Sequence, residues 1–410
     1  NLYLGIFALL LVGAGFSALA EIGHQLGWTI LSDGVIQFNT TPRVFGGFAY
    51  SDWNGYGGVI GHYLAYKSYW LLGGIGLLIA SLLFWNRGYV FSWRERGMQA
   101  WDRGTGKVGL ALGVTLVAFL GLGAGLYHHD HTLAGFSAPD STVDAVLAHN
   151  EKAYGRYLGL PQPRIARAAI KLDLYPSERE YRANGTLWFV NKLERPLDTI
   201  IVSRSFKDRT SYQIDQPHRT IVQDSLVHLD ILRLVTPLQK GDSLALHFSV
   251  QNAPNAPLWD NDRVLTNGTY LQGYHILPRL GVREAFLSGA AKRAAFGLGA
   301  RPTQAPSAQD STYLGYAYTE NNADRILYST TVSTDADQQA LSMGQLRKQW
   351  TENGRNYFHY TSDGPITNTI SWLSGRYVLK TDLTAAVPVQ YHHHGDHAHE
   401  LPDFQQGIKA

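Results

Sequence analysis

The chain has 410 residues, enough for two or three domains, and its formal net charge of +2 leaves no broad basic surface for nucleic acid. It contains no cysteine, which excludes disulfide frameworks, thiolate metal sites and cysteine nucleophiles. Hydropathy is uneven: the first third is apolar and Gly-rich, and the remainder is polar with strand-like alternation.

Three apolar runs occupy the first third. Leu2–Ala20 is read as a retained span, with a secretory signal peptide as the competing reading. The run is already under way at Asn1, so the sequence reads as a piece of a longer or processed polypeptide. Tyr69–Trp85 and Val108–Tyr127 carry no charge, and each has about the length an α-helix needs to cross hydrocarbon. Between them, Asn86–Lys107 holds Arg87, Arg94, Arg96, Arg103 and Lys107 against Glu95 and Asp102. Short Lys/Arg-rich loops stay in the cytoplasm, so this hairpin turns there, and 21–68 and everything after Tyr127 lie outside. The transmembrane region is thus 1–137, with the lipid bilayer as one partner. Small residues four apart, Gly109 with Gly113, Gly121 with Gly125 and Gly76 with Ala80, let helix backbones approach closely. Three thin helices imply further helices or subunits as partners.

His128-His129-Asp130-His131 ends the last run, either as an interfacial polar cluster or as metal ligands. His24 and His62 near the span ends are read with the same two options, polar residues or ligands of a haem-like group. Residues 138–163 form a linker. Ser141 and Asp144 open a short amphipathic helix over Thr142–Tyr157, and Gly159-Leu160-Pro161-Gln162-Pro163 ends it.

From Arg164 the period becomes two. Strands are predicted over Ala169–Pro176, Glu180–Lys192, Leu197–Phe206, a hairpin-like pair in His218–Val235, Asp242–Val250, Leu327–Thr334, Gln339–Met343, Tyr357–Thr361 and Tyr377–Lys380. Asn267-Gly268 and Asn353-Gly354 mark turns, and Arg283–Leu298 is predicted as the one good helix. The fold class is membrane-anchored α + β, with an antiparallel β-sandwich over 164–390. Residues 391–410 then form a tail or link. Its tract, with His392, His393, His394, His397 and His399, is read as a flexible solvated insertion or as a holder of zinc, copper or nickel.

The segment Tyr50–Gly57, the linker Tyr157–Ile165, the strand order Ile170–Tyr175, Gly185–Asn191, Leu197–Ile200, and the segments Asn267–Tyr270, Leu277–Gly281, Thr331–Gln338 and Trp372–Tyr377 carry a resemblance over nearly the whole chain. Together they resemble bacterial ABC-2-type permeases fused to an M1-family (gluzincin) aminopeptidase, namely the last spans and the M1 N-terminal β domain. The resemblance implies an inner-membrane protein with its β domain on the periplasmic side. It implies a zinc aminopeptidase for the parent family, whose metal belongs to a catalytic domain. This chain has no H-E-x-x-H; His399-Glu400-Leu401-Pro402-Asp403 starts like one but carries Asp in fifth place, and Pro402 is expected to break the helix. The chain as given is therefore expected to be non-catalytic. The resemblance gives Gln272 a role at the substrate's amino end, with a plain sheet-surface residue as the alternative. The rival function is a non-enzymatic scaffold in a larger membrane complex.

Overall fold

The computed structural model describes residues 18, 22, 51, 53–55, 57–85, 92–129, 140–252, 263–283, 286–301, 324–382 and 387–409. Apart from Ala18, the expected span over 2–20 lies outside them, as do His24, Arg87, Asp130 and His131. The chain forms two compact units, one helical and one mainly of strands.

In the helical unit, α1 (Gly57–Phe84) starts earlier than the apolar run, α2 (Trp93–Gly104) occupies the basic loop, and α3 (Lys107–His128) follows after two residues. Among the described residues two helices are long and apolar enough to cross a membrane, over Tyr63–Phe84 and Lys107–His128. Each has 22 residues, about 33 Å at 1.5 Å per residue, which matches a hydrocarbon core. They pack through an aromatic–glycine seam. Tyr69 stacks on Phe119 with ring centroids 4.3 Å apart, beside buried Tyr66 and Leu126. Gly73 admits the Phe119 ring and Gly123 the Tyr69 ring; a Cβ at either would lie 3.0 or 2.9 Å from the ring edge. Gly113, Gly121 and Gly125 face open space among the described residues, and Gly109 lets the start of α3 pass the Gly104 carbonyl.

The second unit takes in Asp52–Asn54 and then begins within α4 (Asp140–Tyr154), at Asp144; a 3-10 turn over Gly155–Tyr157 continues that helix. Seven strands follow: β1 (Arg164–Tyr175), β2 (Glu180–Val190), β3 (Leu197–Ser203), β4 (Arg209–Ile214), β5 (His218–Asp224), β6 (Leu229–Leu238) and β7 (Ser243–Asn252). Then come β8 (Thr269–Gln272), α5 (Gly273–Ile276), β9 (Arg279–Leu280), α6 (Ala290–Ala295), β10 (Arg325–Asp335), β11 (Gln339–Ser342), β12 (Gln345–Glu352), β13 (Arg355–Thr361) and β14 (Ile366–Thr367). The last elements are β15 (Ser371–Gly375), β16 (Val378–Asp382), β17 (Val389–His393), a 3-10 turn over Gly395–Glu400, and α7 (Leu401–Lys409).

The large sheet runs β12-β13-β10-β1-β2-β7-β4, with β14 on the end of β10. Smaller sheets are β5-β6-β3-β9, β11-β15-β8 and β16-β17. Its inner face supplies Ile170, Leu172, Leu187 and Leu246 to one core, which Ile200, Val202 and Leu232 of β3 and β6 meet from the other side. Because strand side chains alternate, Ile201 between Ile200 and Val202 points the opposite way. It joins Leu229, Ile231 and Tyr154 in a second cluster under α4. Trp372 on β15 is fully buried in the main core, and its indole N–H donates to Thr330 Oγ1 at 3.1 Å.

Three expectations need correction. The sandwich is not wholly antiparallel, since β1 and β10 run parallel. The helix expected over Arg283–Leu298 shrinks to Ala290–Ala295, because Gly289 (φ +88°) and Gly297 (φ +66°) take backbone conformations that stop a helix. The His-rich tract is no loose insertion: β17 pairs with β16, bringing Leu379 opposite His392 and Val378 opposite His393.

The linker carries a device of its own. Pro161 and Pro163 have no backbone N–H, and the buried Gln162 between them does the pairing instead. Its side-chain Oε1 accepts from Ile201 N–H at 2.8 Å and its Nε2 donates to Thr199 O at 3.1 Å. The same chain is then held by the carboxylate of Asp224 at the end of β5. That carboxylate accepts from Tyr154 Oη at 2.7 Å and from Leu226 N–H at 2.8 Å, and lies 2.8 Å from His149 Nε2.

Candidate functional site: a cleft at the end of β8

Residue period two decides which side chains of β8 are available. Thr269 and Leu271 are buried, whereas Tyr270 is half exposed and Gln272 lies on the same face. Gln272 Nε2 donates to Tyr270 Oη at 2.9 Å, and its carbonyl oxygen has no partner among the described residues and can accept. The strand then turns sharply. Gly273 N–H donates to Ile370 O at 2.7 Å, and a Cβ on Gly273 would lie 3.0 Å from Ile370 Cβ, a contact that Ile370 would have to yield to. The α5 turn places Tyr274 at the rim, and Arg279 beyond Pro278 lays its guanidinium 4.1 Å from the Tyr274 ring centroid.

These residues enclose a cleft of about 420 Å³. Ile165, Leu187 and Phe189 of the large sheet, with Leu277, Leu280 and Ile370, make its walls apolar. Its polar groups are the Gln272 and Asn368 amides, the Tyr270 and Thr369 hydroxyls and Arg279. The described lining includes no carboxylate and no imidazole. Such a site can bind an apolar group and orient a polar end. Nearby His275 titrates below ordinary imidazole, because of burial first and then the positive charges of Arg263, Arg283, Arg279 and Lys207.

The other residues singled out from sequence lie elsewhere. In the His tract, His394 packs edge-on against Trp53 at 5.2 Å, Trp53 against Tyr377 at 5.0 Å, and Tyr377 against His392 at 5.9 Å. The His394 and His397 rings are 5.8 Å apart, and those of His397 and His399 6.2 Å. His393 Nδ1 sits 2.7 Å from His394 O. Burial holds His392 below ordinary imidazole. Among the described residues no three ligand side chains converge as for a metal ion. His399-Glu400 ends the 3-10 turn, and the helix break expected at Pro402 does not occur: Pro402 falls in the first turn of α7, where its missing N–H costs nothing. Arg94 is exposed on α2, Arg96 belongs to the same helix, Arg103 bonds the end of α1, and Lys107 opens α3.

Sequence reasoning missed Tyr270, Tyr274, Arg279 and Ile370. The alternation around Gln272 could have found Tyr270; the walls come from strands far away in sequence and left no local signal.

Neither a family model nor a curated relative matches the chain. Among solved structures, an M1 zinc metallopeptidase from Deinococcus radiodurans is 16% identical with a TM-score of 0.36, covering 57% of this chain and 48% of that one. A mutant of that enzyme bound to a Tyr-Ser-Ala substrate is 17% identical with a TM-score of 0.35 over the same shares. A two-domain M1 zinc metallopeptidase mutant bound to L-arginine gives 17% and 0.35. The chain spans about half the length of these proteins.

Proposed function

We propose that this chain is a membrane-anchored, extracytoplasmic M1-peptidase-like N-terminal region of a permease–aminopeptidase protein, non-catalytic as given. In this reading its β unit supplies one wall of a peptide site. The observation that carries the reading is the cleft in which Gln272 offers a carbonyl oxygen above apolar walls, suited to the ammonium and side chain of a peptide's first residue. The ordered motifs from the linker to Trp372–Tyr377 support the family assignment, and the basic loop between α1 and α3 supports the outward orientation. Zinc belongs, in this reading, to a catalytic domain that these residues do not include.

The test is binding of leucinamide to the detergent-purified chain, followed by saturation-transfer NMR. Binding that weakens at least several-fold in Gln272→Ala supports the reading. Absence of binding, or chelator-sensitive peptide hydrolysis by the chain alone, overturns it. A second reading, a scaffold within a larger membrane complex, is supported by the open flank of α3 at Gly113, Gly121 and Gly125. Purification of the chain with other membrane subunits, lost on Gly121→Leu, favours the scaffold.

A further inference from the structure

Within the basic stretch expected between the two long helices, Trp93–Gly104 folds as a helix. At 100° per residue, Trp93, Gly97, Ala100, Trp101 and Gly104 fall within an arc of about 100°. Arg94 borders that arc on one side, and Arg96 and Arg103 border it on the other. Glu95 and Asp102 fall near the opposite pole. Bases at the shoulders and acids at the far pole suit a helix with one face in lipid, where long cationic side chains reach back to headgroups.

Burial divides the arc: Ala100 at one edge is 7% exposed and packed within the helical unit, whereas Trp101 at the other edge is 78% exposed. Trp85, just past the end of α1, is 65% exposed. Two large aromatic side chains left outside the packing, both beside the ends of long apolar helices, form the belt expected at a membrane–water boundary.

The height of α2 is also fixed. Arg103 donates from Nη1 to Leu83 O at 3.1 Å and to Trp85 O at 2.5 Å, which satisfies carbonyls that the end of α1 leaves free. Two residues, Thr105 and Gly106, separate α2 from α3, and Gly109 allows the close passage. The helix is pinned to the end of one long helix and the start of the other.

We propose that α2 is an interfacial anchor, lying at the bilayer surface with Trp101 in the headgroup–acyl zone and Arg94 and Lys107 directed to anionic phospholipid headgroups. The inference rests on the reading of α1 and α3 as spans. Over Asn86–Lys107 the five bases exceed the two acids by three charges, which matches an anionic lipid surface.

The absence of cysteine makes the test direct, because any introduced cysteine is a unique label. Gly97→Cys on α2, Val117→Cys midway along α3 and Glu194→Cys on the β unit are made in the full chain; a Cβ at Gly97 meets nothing within 4 Å. Each is spin-labelled and reconstituted in phosphatidylcholine vesicles with or without phosphatidylglycerol. The expected result is that collision with a water-soluble nickel chelate is highest at position 194, reduced at 97 and lowest at 117. Position 97 is further protected by phosphatidylglycerol, and Arg94→Gln abolishes that further protection. A brominated lipid is expected to quench a fluorescence component that Trp101→Phe removes. If position 97 is as accessible as 194 while 117 is protected, the anchor is refuted and the spans stand. If 117 is as accessible as 194, both are refuted. No response to phosphatidylglycerol refutes the headgroup part.

Discussion

Replacing Asp224 by Asn isolates the attachment of the linker helix to the sheet. Burial alone would raise the Asp224 carboxyl. Hydrogen bonds from Tyr154 and His149 and from the Leu226 and Val227 N–H groups outweigh burial, and bring it from 3.8 down to about 2. The side chain is only 13% exposed, so little of this is lost to solvent screening. That drop corresponds to about 2.5 kcal/mol favouring the folded state. Because the folded value lies below the unfolded one, the stabilisation is complete above pH 4 and is lost as pH falls from about 4 toward 2. The Asn side chain keeps the shape but turns an NH₂ toward groups that themselves donate. Asp224→Asn is therefore expected to lower stability at pH 7 by about 2.5 kcal/mol, roughly 5–10 °C in melting temperature for a unit of this size. Thermal unfolding of the full chain in detergent, followed by tryptophan fluorescence from pH 7 to pH 2, measures it. The wild-type and variant curves should converge at the acid end, and proteolytic cutting near Tyr154 should increase in the variant at pH 7. Parallel pH profiles, or a loss below about 0.5 kcal/mol at pH 7, would show that these hydrogen bonds do not hold the helix.

Three further outcomes are expected. Gln162→Ala leaves the buried Ile201 N–H and the Thr199 carbonyl without their side-chain partner and should cost about 2 kcal/mol, read by the same melt. Gly273→Val forces side-chain atoms against Ile370 and should abolish leucinamide binding while far-UV circular dichroism stays unchanged. Gly123→Leu drives a side chain into the Tyr69 ring and should separate α1 from α3, seen as reduced cross-linking between cysteines introduced at Trp70 and Leu122.

Much of the strand framework was legible because burial on one face writes an alternating pattern. Asp242–Val250 is the clearest case, and β7 runs Ser243–Asn252. The Asn353-Gly354 turn was readable too: both residues have positive φ, at 49° and 71°, as a tight hairpin requires. The edge strand β12 was invisible for the converse reason. Its residues are nearly all exposed on both faces, so no periodicity survives. The short strands β8 and β15 pair only four residues each and give too little pattern to detect. Arg283–Leu298 has helical composition, and the backbone demands at Gly289 and Gly297 override it. In the cleft, Gln272 was named from family resemblance, while Ile165, Phe189 and Ile370 reach it only through folding. The Asp224 cluster likewise joins residues 75 positions apart, a distance at which one sequence carries no trace of contact.

The Gln162 amide imposes a length constraint on whatever pulls at the linker. A side chain standing in for a strand's missing rung can meet Thr199 and Ile201 from only one spot, so adding or removing a residue between Leu158 and Arg164 would carry it past its partners. Tension along the chain from the α4 side meets the bonds of His149 and Tyr154 to Asp224 first and the Gln162 amide second, before it loads β1.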